Sequence, residues 1–172
     1  LVGSGNDEAG RIRLNEAYEE RDAFKDARVR KALSLAIDRD YVANTLMQGT
    51  YSPADNFMGP GWIDTDGTQF KDNANGGQSY IDVNNYEADL EEAKQLLADA
   101  GYPDGEGFPA ITYKYPSLQL DSDMAQALQA QWKTNLGIEV ELQAEEQHVQ
   151  VAERRSGDFQ LARMRWTADF TD

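Results

Sequence analysis

Apolar residues in the C-terminal part of the chain follow two spacings in turn. Every second residue is apolar in three segments, which is typical of strands, and the segments between them have the spacing of amphipathic helices. In chain order these are a strand at 111–115, a helix at 121–136, a strand at 138–142, a weaker helix at 145–155 and a strand at 159–166. This β-α-β-α-β order predicts an α/β fold with a mainly parallel sheet, because crossover helices bring successive strands side by side in one direction. Asp121 or Ser122 is positioned to cap the first of these helices.

Two further helices are predicted nearer the N-terminus. The first covers 26–47, and three basic residues in its early turns, which the helix dipole disfavours, must be compensated by solvent or by an acidic neighbour. The second spans 89–100, where Asp89 and Glu92 have the D-x-x-E spacing of a capping box and Gly101 provides the stop.

The remaining segments have no clear periodicity. Gly, Pro and Asn cluster in 49–85, while Tyr51, Trp62 and Phe70 provide apolar anchors, so we predict a long irregular insertion there. Residues 1–22 are predicted to be a flexible or hinge-proximal lead-in, which leaves 23–172 as the folded lobe.

Composition excludes several classes of function. The 172 residues include 31 acidic and 16 basic side chains, and this net charge of −15 opposes binding to nucleic acid or to anionic lipid. No Cys is present and His148 is the single His, which removes thiolate metal sites, Cys nucleophiles and most triads. No run of apolar residues approaches the length of a membrane span. We therefore expect no cofactor, no metal and no catalytic residues.

Two acidic clusters were considered as Ca²⁺ sites. Asp64 and Asp66 resemble the start of a calcium loop, but no Glu stands at its twelfth position. The second cluster lacks loop spacing and is better interpreted as a solvated strand face; its members are Glu139, Glu141, Glu145 and Glu146. His148 is interpreted as a surface residue. A small hydrolase is also disfavoured, because no G-x-S-x-G elbow is present.

Four ordered stretches resemble the motifs of a known family. FKDARVRKALSLAIDR at 24–39 is similar to D-x-R-V-R-x-A-L-x-x-A-I-D-R, and GTYSPA at 49–54 is similar to G-x-x-x-P-A. AKQLLADAGY at 93–102 resembles A-K-x-L-L-x-E-A-G-Y. SGDFQLARMRWTADF at 156–170 resembles S-G-D-(F/Y)-x-(I/L)-A-R-x-x-W-x-A-D-(Y/F). Together they resemble the extracytoplasmic solute-binding proteins of ABC importers for oligopeptides and dipeptides.

The resemblance implies a fold and a function. The chain would be an excised second lobe, over 23–172, of a periplasmic-binding-protein type II-like fold whose two lobes enclose an oligopeptide. It implies a non-catalytic, monomeric binding protein that works with the membrane permease subunits of an ABC transporter. The expected location is extracytoplasmic, in the periplasm or as a cell-surface lipoprotein, with the signal peptide absent from this fragment. The alternative is the same family with another solute: a dipeptide, a nickel chelate or a sugar.

The resemblance also implies a ligand-binding segment, which lies where ligands bind in open parallel sheets, beyond the carboxyl end of the third strand. Asp169 matches the family residue that holds the peptide α-ammonium, a group with three donors that suits a carboxylate. Arg163 matches the residue that can meet a peptide carboxylate, and a pair with a surface acid is its alternative. Trp166 matches an aromatic of a side-chain pocket, or else belongs to the core, and Thr167 and Ala168 complete the segment.

Two residues within this segment depart from the family pattern. Met164 and Arg165 stand where small residues are common. The resemblance therefore implies that the pocket next to the peptide differs here, and that one Arg can tune the ligand preference without changing the class of ligand.

Overall fold

The computed structural model describes residues 22–56, 61–79 and 81–165. Within them, three strands form one parallel sheet: β1 (Ile111–Pro116), β2 (Val140–Glu145) and β3 (Leu161–Ala162). The strand order is β2-β1-β3, so β1 lies in the middle. The helices of the described residues are, in chain order, α1 (Asp22–Lys25), α2 (Ala27–Leu35), α3 (Phe70–Asn73), α4 (Tyr86–Asp99), α5 (Gln119–Leu136) and α6 (Gln147–Ser156).

The β1-α5-β2-α6-β3 order confirms the α/β fold with a parallel sheet. The register pairs Ile111 with Val140 and Tyr113 with Leu161. The second strand is displaced from the predicted 138–142, because its pairing with β1 starts at Val140 and continues to Glu145. Both connecting helices are present close to the predicted positions.

The two faces of the sheet contact different layers. Ile111, Tyr113 and Tyr115 are buried along one face of β1 and belong to the main core with α2, α4 and α5. Alternate residues of a strand point to opposite faces, so Lys114 points away from that core, and its ammonium contacts Glu153 of α6. The sheet therefore lies between a three-helix layer and α6.

Buried and partly buried hydrogen bonds connect the helices of the three-helix layer. Trp132 Nε1 donates to the Leu33 carbonyl at 2.8 Å, and the Trp132 ring meets Tyr113 edge-on. Asn135 donates to the Tyr86 hydroxyl at 2.6 Å, and that hydroxyl donates to the Ala36 carbonyl at 3.1 Å. These bonds connect α5 to the C-terminal end of α2 and to the start of α4.

The single helix predicted over 26–47 is wrong. α2 ends before Asp38, and a π-helical turn occupies Tyr41–Leu46. The Asp38 carboxylate accepts a hydrogen bond from the first amide of that turn at 2.8 Å, and Arg39 donates to the Ser34 carbonyl at 2.8 Å. These side chains satisfy the backbone groups that a helix end leaves unpaired. The helix therefore ends, and a new helical turn begins, within an apolar pattern that is continuous in the sequence.

Two of the three basic residues in the early turns of α2 have acidic partners, as one of the two alternatives predicted, whereas Arg30 donates to the carbonyls of Phe24 and Lys25. The Arg28 guanidinium contacts the Asp26 carboxylate at 2.6 Å and donates to the Asp99 carbonyl at 2.8 Å. Lys31 Nζ lies 2.5 Å from a carboxylate oxygen of Glu92. Two of these contacts connect α2 to α4.

The capping box predicted at the start of α4 is wrong. The helix begins one turn earlier, with Asn85 as N-cap accepting a hydrogen bond from the Ala88 amide at 3.4 Å. Asp89 therefore lies inside the helix, where its carboxylate accepts a hydrogen bond from the Asp82 amide at 2.9 Å. Burial raises the pKa of Asp89.

α5 also begins earlier than predicted. It starts at Gln119 without a side-chain cap, so neither Asp121 nor Ser122 caps it. The Asp121 carboxylate lies in the first turn and binds Arg163 instead. The predicted stop is confirmed, because Gly137 follows the helix with a left-handed φ of 71°.

The third strand is much shorter than the predicted 159–166. Before β3, the side-chain oxygen of Gln160 accepts a hydrogen bond from the Thr112 amide at 2.7 Å, at a position where a longer strand would present a backbone carbonyl. After β3, the Arg163 amide donates to the Lys114 carbonyl at 2.8 Å. The last residue of the predicted strand lies outside the described residues.

The expected insertion between the π-helical turn and α4 is largely irregular. Its described part contains α3, a 3₁₀ turn at Ala74–Gly77 and an antiparallel bridge between Ile63 and Gln69. The lead-in predicted for 1–22 lies outside the described residues except for its last position. No helix in the described ranges has both the length and the apolar character to cross a membrane.

Candidate functional site

The carboxyl ends of β1 and β3 lie at one edge of the sheet, where two adjoining cavities open. The first, here called the apolar cavity, has a volume of about 570 Å³ and is lined by the end of α2, the π-helical turn, residues 51–56 and α5. The second, here called the polar cleft, has a volume of about 70 Å³ and is lined by the start of α5, by α6 and by residues 163–165. Arg163 and Arg165 line both cavities.

Arg163 is held by a largely buried ion pair. Its Nε donates to Asp121 Oδ1 at 2.9 Å, and the side chains are 14% and 4% exposed, respectively. Arg163 therefore does pair with an acid, but through one nitrogen and with a buried carboxylate instead of the surface acid of the alternative. Its two terminal nitrogens bind none of the described residues.

The backbone of Arg163 is fixed as firmly as its side chain. Its amide donates to Lys114 of β1, and its carbonyl accepts a hydrogen bond from Gln150 Nε2 of α6 at 2.7 Å. Gln150 is buried. β1, α5 and α6 thus jointly determine where this guanidinium points.

Tyr113 is buried near the ion pair, close enough for the charges of Arg163 and Asp121 to act on its hydroxyl. Its hydroxyl has no hydrogen-bond partner among the described residues. Burial raises the pKa of Tyr113 to about 12, although nearby Arg163 opposes the shift. The phenol is therefore neutral at physiological pH and serves as packing for the site, with no charge of its own.

Three further arginines line the cavities, and of these the sequence singled out only Arg165, as a departure from the motif that can tune the ligand preference. Arg39 lines the apolar cavity and donates only to neutral oxygens of Ser34 and Ile37, and burial lowers the pKa of its guanidinium. Arg154 of α6 lines the polar cleft, and its buried Nε has no partner among the described residues. Arg165 is exposed.

On the α6 side of the sheet, one lysine contacts three carboxylates. Lys114 Nζ lies 2.8 Å from Glu153 Oε2, and 3.9 Å from oxygens of both Glu145 and Asp158. The close ammonium lowers the pKa of Glu153, whereas burial and the neighbouring Glu153 raise the pKa of Glu145. Glu145 therefore takes up a proton before Glu153 as the pH falls.

Of the predicted ligand residues, only Arg163 is among the described residues. Arg163 lies at the expected edge of the sheet, between the two cavities. Trp166, Thr167, Ala168 and Asp169 lie outside the described residues, so their predicted roles stay predictions. Asp121 and Gln150, which position Arg163, carried no sequence signal for that role, whereas Arg165 was already notable as a departure from the motif.

His148 and the calcium-like turn both lie within the described residues. The His148 side chain is exposed, and its Nδ1 lies 3.8 Å from Glu146 Oε2. The Asn73 amide donates to oxygens of both Asp64 and Asp66, so an amide joins the carboxylates of the calcium-like turn. In the described part of the chain, no group of three or more His, Cys, Asp or Glu side chains is arranged to hold a metal ion.

Comparison with protein families gives one match over nearly the whole chain. The family described as "Bacterial extracellular solute-binding proteins, family 5 Middle" matches residues 4–172. Among curated proteins, the oligopeptide-binding protein OppA of Bacillus subtilis is 32% identical over 144 residues, which cover 84% of this chain. The periplasmic oligopeptide-binding protein OppA of Escherichia coli is 33% identical over 157 residues, which cover 91% of this chain.

Solved structures show the same relationship. A periplasmic oligopeptide-binding protein of Borrelia burgdorferi superposes with a TM-score of 0.72 at 31% identity, covering 88% of this chain and 27% of that one. The matches cover 25% and 27% of the two curated relatives. The chain thus spans about a quarter of the length of the proteins that it resembles.

Proposed function

Because the chain belongs to family 5 of the bacterial extracellular solute-binding proteins, we propose that it is one lobe of the substrate-binding component of an ABC transporter and that it captures oligopeptides against a second lobe. The observation that carries this proposal is the fixed position of Arg163 between two cavities at the carboxyl edge of the sheet. The chain continues from there directly into the W-x-A-D motif.

In the proposed complex, the two charged ends of a peptide have separate partners. Asp169 accepts hydrogen bonds from the α-ammonium, and the terminal nitrogens of Arg163 bind a peptide carboxylate. Trp166 provides an aromatic wall, and Thr167 and Ala168 provide backbone contacts. Backbone recognition explains how peptides of differing sequence would be accepted, since side chains then occupy roomy and hydrated pockets.

Binding would act on the relative position of the two lobes. A peptide that contacts both lobes stabilises the closed state over the open one, and the closed state would dock on the permease subunits. We propose an extracytoplasmic location and a monomeric binding protein without catalytic activity. The alternative is the same mechanism with a dipeptide, a nickel chelate or a sugar as the solute.

The test of the ligand assignment is Asp169→Ala in the full-length protein that contains this chain. We expect affinity for tri- to pentapeptides to fall by at least about 2 kcal/mol, roughly thirtyfold, because the substitution leaves an ammonium without its charged partner. Isothermal titration calorimetry measures the change. Asp172→Ala removes a neighbouring carboxylate and serves as the matched control, with affinity unchanged.

Two outcomes would contradict the proposal at different levels. Unchanged peptide affinity in Asp169→Ala would refute the role of this residue. A copurified solute that mass spectrometry identifies as something other than a peptide, together with no peptide binding by the unmodified protein, would favour the alternative solute.

A further inference from the structure

The charge around the two cavities is opposite to the charge of the chain. The chain as a whole carries −15. The charged residues that line the apolar cavity and the polar cleft are four arginines and two aspartates: Arg39, Arg154, Arg163, Arg165, Asp55 and Asp121. Within the described residues, an acidic protein thus lines these two cavities with a net positive charge.

The two aspartates neutralise only one of the four arginines. Asp55 pairs with Lys71 at 3.1 Å, and Asp121 pairs with Arg163 at 2.9 Å. Within the described ranges, Arg39, Arg154 and Arg165 have no carboxylate within ion-pair distance. With 31 acidic residues in the chain, three unpaired guanidiniums at one edge leave a local positive charge that an anionic ligand group can compensate.

Arg165 differs from the other two in its accessibility. Arg39 is engaged with carbonyl and hydroxyl oxygens at the end of α2, and Arg154 has a buried Nε. Arg165 is exposed and lines both cavities, and none of the described residues accepts a hydrogen bond from its guanidinium. It lies two residues after Arg163, whose position is fixed, so its charge is presented next to the proposed peptide carboxylate site.

We propose that Arg165 is a specificity-determining residue, which gives the site a preference for peptides that carry an acidic side chain. The inference rests on the proposed function, because it concerns the class of peptide that enters the same site. The guanidinium pairs with a Glu or Asp carboxylate of the bound peptide, at a position separate from the carboxylate that Arg163 binds. Closure of a second lobe would reduce solvent screening of this pair and strengthen it.

The experiment compares matched peptides on the full-length protein. Pentapeptides with Glu at the second, third or fourth position are titrated calorimetrically beside peptides with Gln at the same position. We expect Glu to be preferred by roughly three- to tenfold at one of these positions, which is the range of a partly screened ion pair. The preference should decrease when the salt concentration is raised.

Variants assign the preference to the residue. Arg165→Gln should abolish the difference between the Glu and Gln peptides, and Arg165→Lys should retain part of the preference. Arg155→Gln is the control, because it removes the same charge from α6 at a cavity that neither Arg163 nor Arg165 lines, and the preference should survive it.

The outcomes separate this inference from the proposed function. Equal affinities for Glu and Gln peptides at every position, or a preference that persists in Arg165→Gln, would overturn the specificity role while peptide binding itself stands. A loss of the preference in both Arg165→Gln and Arg155→Gln would assign it to the general field of the protein and overturn the role of Arg165. Failure of all peptides to bind would refute the proposed function and this inference together.

Discussion

The ion pair between Arg163 and Asp121 combines stability with positioning. Both side chains are largely buried, so each charge has lost most of its hydration and depends on the other for compensation. The pair also joins the end of β3 to the first turn of α5. A substitution in Asp121 should therefore affect both the free energy of unfolding and the orientation of the guanidinium.

We expect Asp121→Ala to lower the free energy of unfolding by about 3 kcal/mol, because it leaves a buried guanidinium without its carboxylate. Chemical denaturation of the chain, followed by circular dichroism, measures this loss. Asp123→Ala is the matched control two residues further along α5, where the carboxylate accepts a hydrogen bond from Gln119. That change should cost less than about 1 kcal/mol. Equal losses in the two variants would contradict a special role for the buried pair.

Sequence reasoning identified one partner of this pair and missed the other. The motif around Arg163 is local, so its likeness to a family was visible in the sequence. Asp121 lies 42 residues earlier, and its position near a predicted helix start suggested a cap. The Asp121 carboxylate could either cap the helix or pair with a buried Arg. Only the packing of α5 against β3 decides between these two roles. The same limit applies to Arg39 and Arg154, whose nearness to Arg165 depends on the folded chain.

At the scale of elements, the predictions succeeded where local signals act alone. β1 and the end of α5 were predicted correctly, since apolar alternation and a terminal Gly need no distant partner. They failed where side chains replace backbone hydrogen bonds. Asp38 and Arg39 interrupt the helix predicted over 26–47, and Gln160 shortens the third strand. Hydrophobic periodicity indicates which positions are buried. It does not indicate where a side chain makes a hydrogen bond in place of a backbone group.

The end of α5 also has a non-local role that the sequence does not reveal. Gly137 has a φ of 71°, and a Cβ atom built there would lie 2.0 Å from the Asp104 carbonyl oxygen. A Cβ atom on Gly105 would likewise lie 2.6 Å from the Leu136 carbonyl oxygen. The helix end and the 3₁₀ turn at Pro103–Gly105 thus pack backbone against backbone, which requires glycine on both sides.

Gly137→Ala should consequently destabilise the chain by more than the left-handed φ alone explains. We expect a loss of roughly 3 kcal/mol in thermal or chemical unfolding, since backbone strain and a steric clash add. Gly101→Ala provides the control at the end of α4, because φ is 98° there and no atom lies within 4 Å of the added Cβ. Its cost should be about 1 kcal/mol. A loss in Gly137→Ala as small as that of Gly101→Ala would contradict the close packing.

For the whole molecule, the distribution of charge carries more information than its sum. Twelve acidic residues against two lysines fall in 49–109, which includes α3 and α4. The cavities at the sheet edge are instead lined by arginines. The sequence showed the acidic excess and where it lies along the chain. It could not predict the basic edge, because that edge is assembled from residues 39, 154, 163 and 165.

The size of the chain relative to its relatives leads to the final prediction. In the proposed two-lobe protein, one lobe supplies only its own contacts to the enclosed ligand, and alone it would leave the Arg163 site open to water. We expect the isolated chain of residues 1–172 to bind a pentapeptide at least about a hundredfold more weakly than the full-length protein, a difference of about 2.7 kcal/mol. Parallel calorimetric titrations measure both affinities, and a cooperative unfolding transition of the isolated chain provides the control for folding. The prediction would be contradicted if the isolated chain bound the pentapeptide at micromolar or tighter affinity, equal to that of the full-length protein. This lobe would then hold the complete site, and lobe closure would contribute nothing to affinity.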